Sequence, residues 1–292
     1  MRSQTFRNGE TGGVEAVIVK TDGVVLKSMR FRETSKIVTF YTRRYGKLSA
    51  VAKGARETKN KFGASLEPMT AVTLVLYKKE NRDLQLLSQC DIRKQYKNIH
   101  SEMNRMAVGL SILELLNQLT HDEEENPSLF SLVEESLDAL ESASGNIVNY
   151  QYGFELRLCA IHGFSPVFDQ CVRCGKQVDV TKGGGTVIFQ FDKGGMLCPA
   201  CAEAIPSAQL RPLDVREETP GRGPAYRRIK TATVQVMERL YSARLQSLDG
   251  LEYQATVGNE LAATLRSYLR YHFESVKPLK SALVFEQLSH DH

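Results

Sequence analysis

Two Cys-x-x-Cys pairs, Cys171-Val-Arg-Cys174 and Cys198-Pro-Ala-Cys201, stand 23 residues apart and constrain their region more than any other feature of the chain. A two-residue spacer lets both thiolates of a pair point inward, and four such ligands complete the tetrahedral shell that zinc prefers. Gly175 permits the tight turn after the first pair, and Pro199 stiffens the second. Between them Val187–Phe191 reads as a strand framed by Gly183–Gly185 and Gly194-Gly195, so pair, strand and pair have the layout of a zinc ribbon. Two disulfides would need an oxidising compartment, and Met1 to Gly13 is polar and glycine-rich, without the apolar core of a secretion signal. A thioredoxin-like centre needs one such motif at a strand–helix junction, not two matched ones. The expectation is one structural Zn2+ held by Cys171, Cys174, Cys198 and Cys201. Four thiolates leave no open coordination position for catalysis. Cys90 and Cys159 lie in apolar contexts and are expected in the core.

Upstream the pattern is strand-like. Val14–Met29 is rich in Val and Ile and broken by the turn-forming pair Asp22-Gly23; Ile37–Tyr41, Leu48–Ala52, Ala71–Tyr77 and Leu84–Cys90 follow. Five short strands in about eighty residues fit a small barrel. The basic link Lys53–Pro68 reads as a surface loop. From His100 the period changes to three and four residues: Met103, Met106, Leu110, Leu113, Leu116 and Leu119 predict one amphipathic helix, and Leu129, Leu132, Val133, Leu137 and Leu140 a second that starts at Pro127. The acidic run Asp122–Glu125 between them reads as a solvated loop. Helices are further expected over Ile147–His162, Tyr226–Leu245 and Glu260–Glu274, with a loop at Ser247–Gly258. The fold class is therefore α+β and multidomain. It comprises a flexible extension 1–13, a small closed or partly open barrel 14–95, a helical domain 96–165 and 213–292, and an inserted four-cysteine zinc ribbon 166–212.

Charge is distributed unevenly. Residues 1–100 carry 20 Lys and Arg against 9 Asp and Glu; residues 101–292 carry 18 against 25. A basic first third attracts polyanions. Within it Lys27, Arg30, Arg32, Lys36, Arg43, Arg44, Lys47, Lys53, Arg56, Lys59, Lys61, Lys78, Lys79 and Arg82 are the candidate DNA contacts, many in predicted turns. Phe31, Phe40, Tyr41, Tyr45, Phe62 and Tyr77 are interleaved with them. Exposed members could stack on unpaired bases, whereas Phe40 and Tyr77 sit inside apolar runs and are expected in the core. A hydrolase fits poorly, because the histidines are scattered and no His-Glu-x-x-His motif is present.

Three strings carry a resemblance: Gly23-Val-Val-Leu-Lys27, Glu33-Thr-Ser-Lys-Ile-Val-Thr39, and Tyr45-Gly-Lys-Leu-Ser-Ala-Val-Ala-Lys-Gly-Ala-Arg56. Together with Phe62-Gly-Ala-Ser-Leu-Glu-Pro68, the order barrel, helices, cysteine pairs, helices, and the terminal Leu279-Lys-Ser281, they resemble the RecO family of bacterial recombination mediators. The resemblance implies that the barrel 14–95 has an oligonucleotide-binding (OB) fold, and that the chain is a cytoplasmic, nucleoid-associated protein of gap and double-strand-break repair. Such a protein binds single- and double-stranded DNA, anneals complementary strands and, with RecR, helps load RecA onto DNA coated by single-stranded DNA-binding protein. It implies a mediator and not an enzyme, and contact with the acidic C-terminal tail of single-stranded DNA-binding protein. Arg266 and Arg270, beside Leu265, Tyr268 and Leu269, have the composition of an arginine-rimmed apolar groove for that tail. The competing reading is a zinc-ribbon adaptor that binds protein within a repair or transcription assembly.

Overall fold

The computed structural model describes residues 16–80, 82–180, 185–206, 225–273 and 275–279. The extension 1–13, part of the expected insert 166–212 and the chain from 280 on lie outside them. The chain divides into two compact units, Met1–Glu141 and Ser142–His292. That boundary falls inside the segment 96–165 that the sequence groups as one helical part.

In the first unit, β1 (Val17–Phe31), β2 (Ser35–Thr42), β3 (Gly46–Ala52), β4 (Ala71–Lys78) and β5 (Leu84–Lys94) close into a barrel in the order β1-β2-β3-β5-β4. Closure depends on the one parallel pairing, β3 with β5 over Ser49–Val51, and leaves no open sheet edge. Asp22-Gly23 does not make the expected turn. β1 runs through it, pairing with β4 over Val17–Val24 and with β2 from Gly23 onward. The pair marks the change of partner: the Asp22 carbonyl accepts the Arg43 amide, its carboxylate accepts the Thr73 hydroxyl at 2.7 Å, and Gly23 leaves room for Leu74.

Val25, Val38, Phe40, Leu48, Val72, Leu74 and Leu76 fill the barrel. The link Lys53–Pro68 is only half a surface loop. Its second half turns through a short 3-10 helix, Gly63–Leu66, and drives Phe62 and Leu66 into the barrel core. The Asn60 side chain fixes this entry by accepting the amides of Phe62 and Gly63. Tyr77 is the other correction. Strand alternation puts Leu76 inside at 0% exposure, so Tyr77 faces out at 40%.

Helices α1 (Lys97–Ser101), α2 (Met103–Leu119) and α3 (Pro127–Ser142) complete this unit. Of the predicted α2 stripe, Leu113, Leu116 and Leu119 are buried while Met103 and Leu110 are exposed; Val108, Ile112 and Leu115 widen the buried face. The apolar face of α3 is as expected, and Asn126 caps it by accepting the Leu129 amide.

In the second unit, α4 (Val148–Ile161) packs with α6 (Thr231–Ser242) and α7 (Ala255–His272). The cysteine segment contributes β6 (Thr186–Gln190), β7 (Gly195–Leu197) and the single turn α5 (Pro199–Glu203). The expected helix Tyr226–Leu245 begins instead with β8 (Tyr226–Lys230), which pairs with β6 to give the sheet order β7-β6-β8. Its alternating Arg227 and Ile229 are buried and Arg228 and Lys230 exposed, a period of two masked in sequence by the helical run behind it. The expected loop 247–258 holds a 3-10 turn, Leu245–Gly250, and the first residues of α7. Asn149 anchors that turn through the carbonyls of Leu248 and Leu251. Cys90 and Cys159 are buried, as their contexts predict.

Candidate nucleic-acid interface

The hairpin tip between β1 and β2 pairs Arg30 with Lys36 and Phe31 with Ser35, and β2 in turn pairs Lys36 with Ala52. Register alone therefore brings Arg30, Arg32, Lys36, Lys53 and Arg56 to one rim of the barrel. Arg56 Nη1 donates to the carbonyls of Arg32 and Glu33, at 3.1 and 2.8 Å, and its own amide donates to the Thr34 carbonyl. Arg32 occupies the left-handed region at φ 53° and stacks its guanidinium over Phe31. Lys36 is paired with Glu67 at 3.3 Å. Among the described residues, Lys27, Arg30, Arg32, Lys53, Arg56, Lys59 and Lys61 form no ion pair, and all seven are exposed. Lys61 reaches the Ser88 carbonyl at 2.6 Å.

The remaining candidates lie toward the other end of β2, where Arg43, Lys47 and Lys78 are ion-paired and Arg44, Lys79 and Arg82 form no ion pair among the described residues. Lys47 approaches Asp122 at 3.6 Å and Lys78 approaches Glu123 at 3.0 Å. The acidic run that reads as a solvated loop is thus laid against the barrel, with the Glu123 amide donating to the Lys47 carbonyl at 2.8 Å. Arg43 Nη2 meets Glu134 of α3 at 2.9 Å while stacking over Phe130, and Arg93 meets the same carboxylate at 2.8 Å. Lys79 and Arg82 flank the β4–β5 turn, whose backbone is tied to the Gln85 side chain. Composition alone could not separate the two ends, because the counter-charges arrive from the α2–α3 loop and from α3, about forty to ninety residues later. Lys20 of β1 and Arg93 of β5 are further cations of this end that the sequence candidates do not include.

The aromatic candidates also divide. Phe40, Tyr41 and Phe62 are buried, Phe31 and Tyr45 are half-buried, and Tyr77 is exposed. Burial, then the nearby Glu124 charge, pushes the Tyr41 hydroxyl well above its ordinary range.

In the second unit, the four sulfurs of Cys171, Cys174, Cys198 and Cys201 lie within 4.8 Å of one another. Cys174 Sγ and Cys198 Sγ are 3.7 Å apart. A tetrahedron with metal–sulfur bonds of about 2.3 Å has edges of about 3.8 Å, so these residues fit a metal ion. Gly175, at φ 72°, makes the turn and donates its amide to the Cys171 carbonyl at 2.8 Å. Burial acts to raise the Cys171 thiol, but amide donors from Cys198, Arg173 and Cys174 outweigh it and bring the thiol down to about 6. Cys201 is pushed up to about 12 by desolvation and by its neighbouring sulfurs. A divalent cation is what allows four such close thiolates to be ionised together.

On α7 the apolar neighbours of the predicted arginines do not line a groove. Leu265, Tyr268 and Leu269 are buried in the unit, with Tyr268 donating to the Phe164 carbonyl at 2.8 Å. Arg266 is exposed and Arg270 half-buried. The Arg266 charge acts on Glu155 of α4, whose carboxyl burial raises to about 7 against the opposing effects of the Gln151 hydrogen bond and of Arg266 itself.

Two family descriptions match the chain: recombination protein O N terminal over residues 17–96, and recombination protein O C terminal over residues 100–210. A DNA repair protein RecO from Salinibacter ruber is 31% identical over 271 residues, spanning 93% of this chain and 94% of its own. Those from Desulforamulus reducens and Chlorobium limicola are each 30% identical, over 93% of this chain and 95% and 99% of theirs. No helix among the described residues is long and apolar enough to cross a membrane.

Proposed function

Because the chain belongs to the RecO family of DNA repair proteins, we propose that it is a cytoplasmic, nucleoid-associated recombination mediator whose barrel rim binds the DNA backbone. It brings complementary strands together and, with RecR, helps RecA replace single-stranded DNA-binding protein. The observation that carries the rim assignment is the contrast between the two ends of β2. Arg30, Arg32, Lys53 and Arg56 keep their charge free of ion pairs among the described residues, whereas Arg43, Lys47 and Lys78 are matched by Glu134, Asp122 and Glu123. Phosphate neutralisation needs uncommitted cations, and annealing needs a surface that screens two backbones without making bonds. The mediator is accordingly not an enzyme.

The metal at the four cysteines is zinc, in a structural role: a thiolate tetrahedron selects it, and the closed shell leaves no position for substrate. Arg266 and Arg270 are kept as candidate contacts for the acidic tail of single-stranded DNA-binding protein, as surface cations without the apolar groove first expected.

The test is annealing of complementary oligonucleotides without nucleotide cofactor, comparing the natural protein with Arg30→Glu/Lys53→Glu. Annealing should fall at least ten-fold and the salt dependence of single-strand affinity should become shallower. Unchanged annealing in the variant would remove the rim from the function.

A further inference from the structure

Beside the β2–β3 turn lies an open cleft of about 480 Å³ between Arg43 and Arg44 on one side and Lys20 of β1 and Arg93 of β5 on the other. Four cations face a single lining carboxylate, Asp22, with Glu134 behind them. The two carboxylates offset part of this charge and leave Lys20 and Arg44 unmatched. Glu134 is spent holding Arg43 and Arg93 in place, and Asp22 holds Thr73 at 2.7 Å and touches Arg93 at 3.5 Å. Lys20 and Arg44 are exposed and form no ion pair among the described residues; Arg44 rests over the Tyr45 ring at 5.7 Å.

The chemistry of the lining selects the ligand. Apart from the charged groups it offers only Thr21 and Thr73. An acidic peptide with an apolar end would meet no apolar residue there, only the methylene stems of lysine and arginine and the threonine methyls. A phosphodiester asks only for forked guanidinium donors, ammonium groups and hydroxyls. Position gives the site its meaning. β2 spans eight residues between the hairpin tip at Ser35 and the turn after Thr42, so the cleft stands roughly 20 Å or more from the Arg30–Lys53 rim.

We propose that this cleft is a second phosphate-binding site for a nucleic-acid strand, so that one barrel holds two strands, one at the rim and one at the cleft. The inference rests on the reading of the barrel as strand-binding, and it adds a second address on the same barrel. Two strands held on one small domain raise each other's effective concentration, which is what pairing requires of a protein that makes no bonds.

The probe is a thymidine tetramer, whose phosphates span less than the distance between the two sites, titrated onto the full chain by calorimetry and native mass spectrometry. The natural protein should take two equivalents. Lys20→Glu/Arg44→Glu should take one, and the milder Lys20→Gln/Arg44→Gln should weaken the second equivalent at least five-fold, both with unchanged circular dichroism and melting temperature. Arg30→Glu/Lys53→Glu should also take one, and the variant combining both reversals none. A single equivalent on the natural protein, or two on the cleft variants, overturns the proposal. If the rim variant keeps two while the cleft variant drops to one, the cleft stands and the rim assignment fails. If the cleft variants lose binding of a short Asp/Glu-rich peptide but not of the second tetramer, the cleft is a protein-tail site and the proposal is wrong.

Discussion

Arg56 donates from Nη1 to the carbonyl of Glu33 at 2.8 Å, which ties the chain leaving β3 to the tip of the β1–β2 hairpin. The same guanidinium reaches the Arg32 carbonyl. Arg56 therefore shapes the rim as well as charging it. Lys53 is a few residues away and has no such bond among the described residues. Arg56→Ala should cost about 1 kcal/mol of stability as well as strand affinity, whereas Lys53→Ala should lower affinity alone. Thermal melts read beside fluorescence-anisotropy titrations separate the two. Equal melting temperatures would show that the bond does not order the rim.

Glu134 carries two guanidinium groups, Arg43 and Arg93, on a side chain only 11% exposed. Glu134→Gln keeps the shape but removes the charge. It should destabilise the first unit by about 1–2 kcal/mol, less than for a fully buried pair because both arginines retain solvent contact. Oligonucleotide binding at low salt should tighten, since two cations are released. Weaker binding in a folded variant would contradict this account of the cleft's charge.

Cys198→Ser removes one corner of the thiolate set. Bound zinc should fall from one equivalent toward none and the second unit should melt earlier, while oligonucleotide affinity per folded molecule stays within about two-fold. Metal analysis and melting on the same preparation measure both. Loss of strand affinity at full zinc occupancy would place the cysteines in the interface.

Glu155 gives a pH signature. Burial raises its carboxyl to about 7 from an ordinary 4.5, so between those values the folded state holds a proton that the unfolded chain releases. Stability of the second unit should therefore decline as pH rises from about 4.5 to about 7 and then level off. Glu155→Gln should flatten this limb, with the difference between variant and natural protein changing by up to about 3 kcal/mol across it. Denaturant titrations at pH 5 and pH 8 decide the matter; a parallel decline in the variant would assign the effect to another group.

What was legible in the sequence follows from how local each signal is. The barrel strands and the cysteine cluster were readable because alternation and Cys-x-x-Cys spacing are written within a few residues. Phe62 and Leu66 were not, because a basic, glycine-containing link reads as surface until the barrel it plugs is closed. β8 was hidden for a similar reason: five residues of alternation abut twelve of helix, and their partner β6 lies about forty residues earlier. At the candidate interface the cations were legible but their availability was not. It depends on Asp122, Glu123 and Glu134, which only folding brings to the barrel.

The strand β8 has a consequence for how this region can be cut and grafted. Its partner β6 belongs to the cysteine segment, yet β8 runs directly into α6, with the Thr231 amide donating to the Gly185 carbonyl. Excising residues 166–212 would leave Tyr226–Lys230 as an orphan edge with one row of amides exposed. A transplantable cassette has to extend from 166 through Lys230, and a relative that dispenses with the metal must either keep that three-stranded seam or rebuild the entrance to α6.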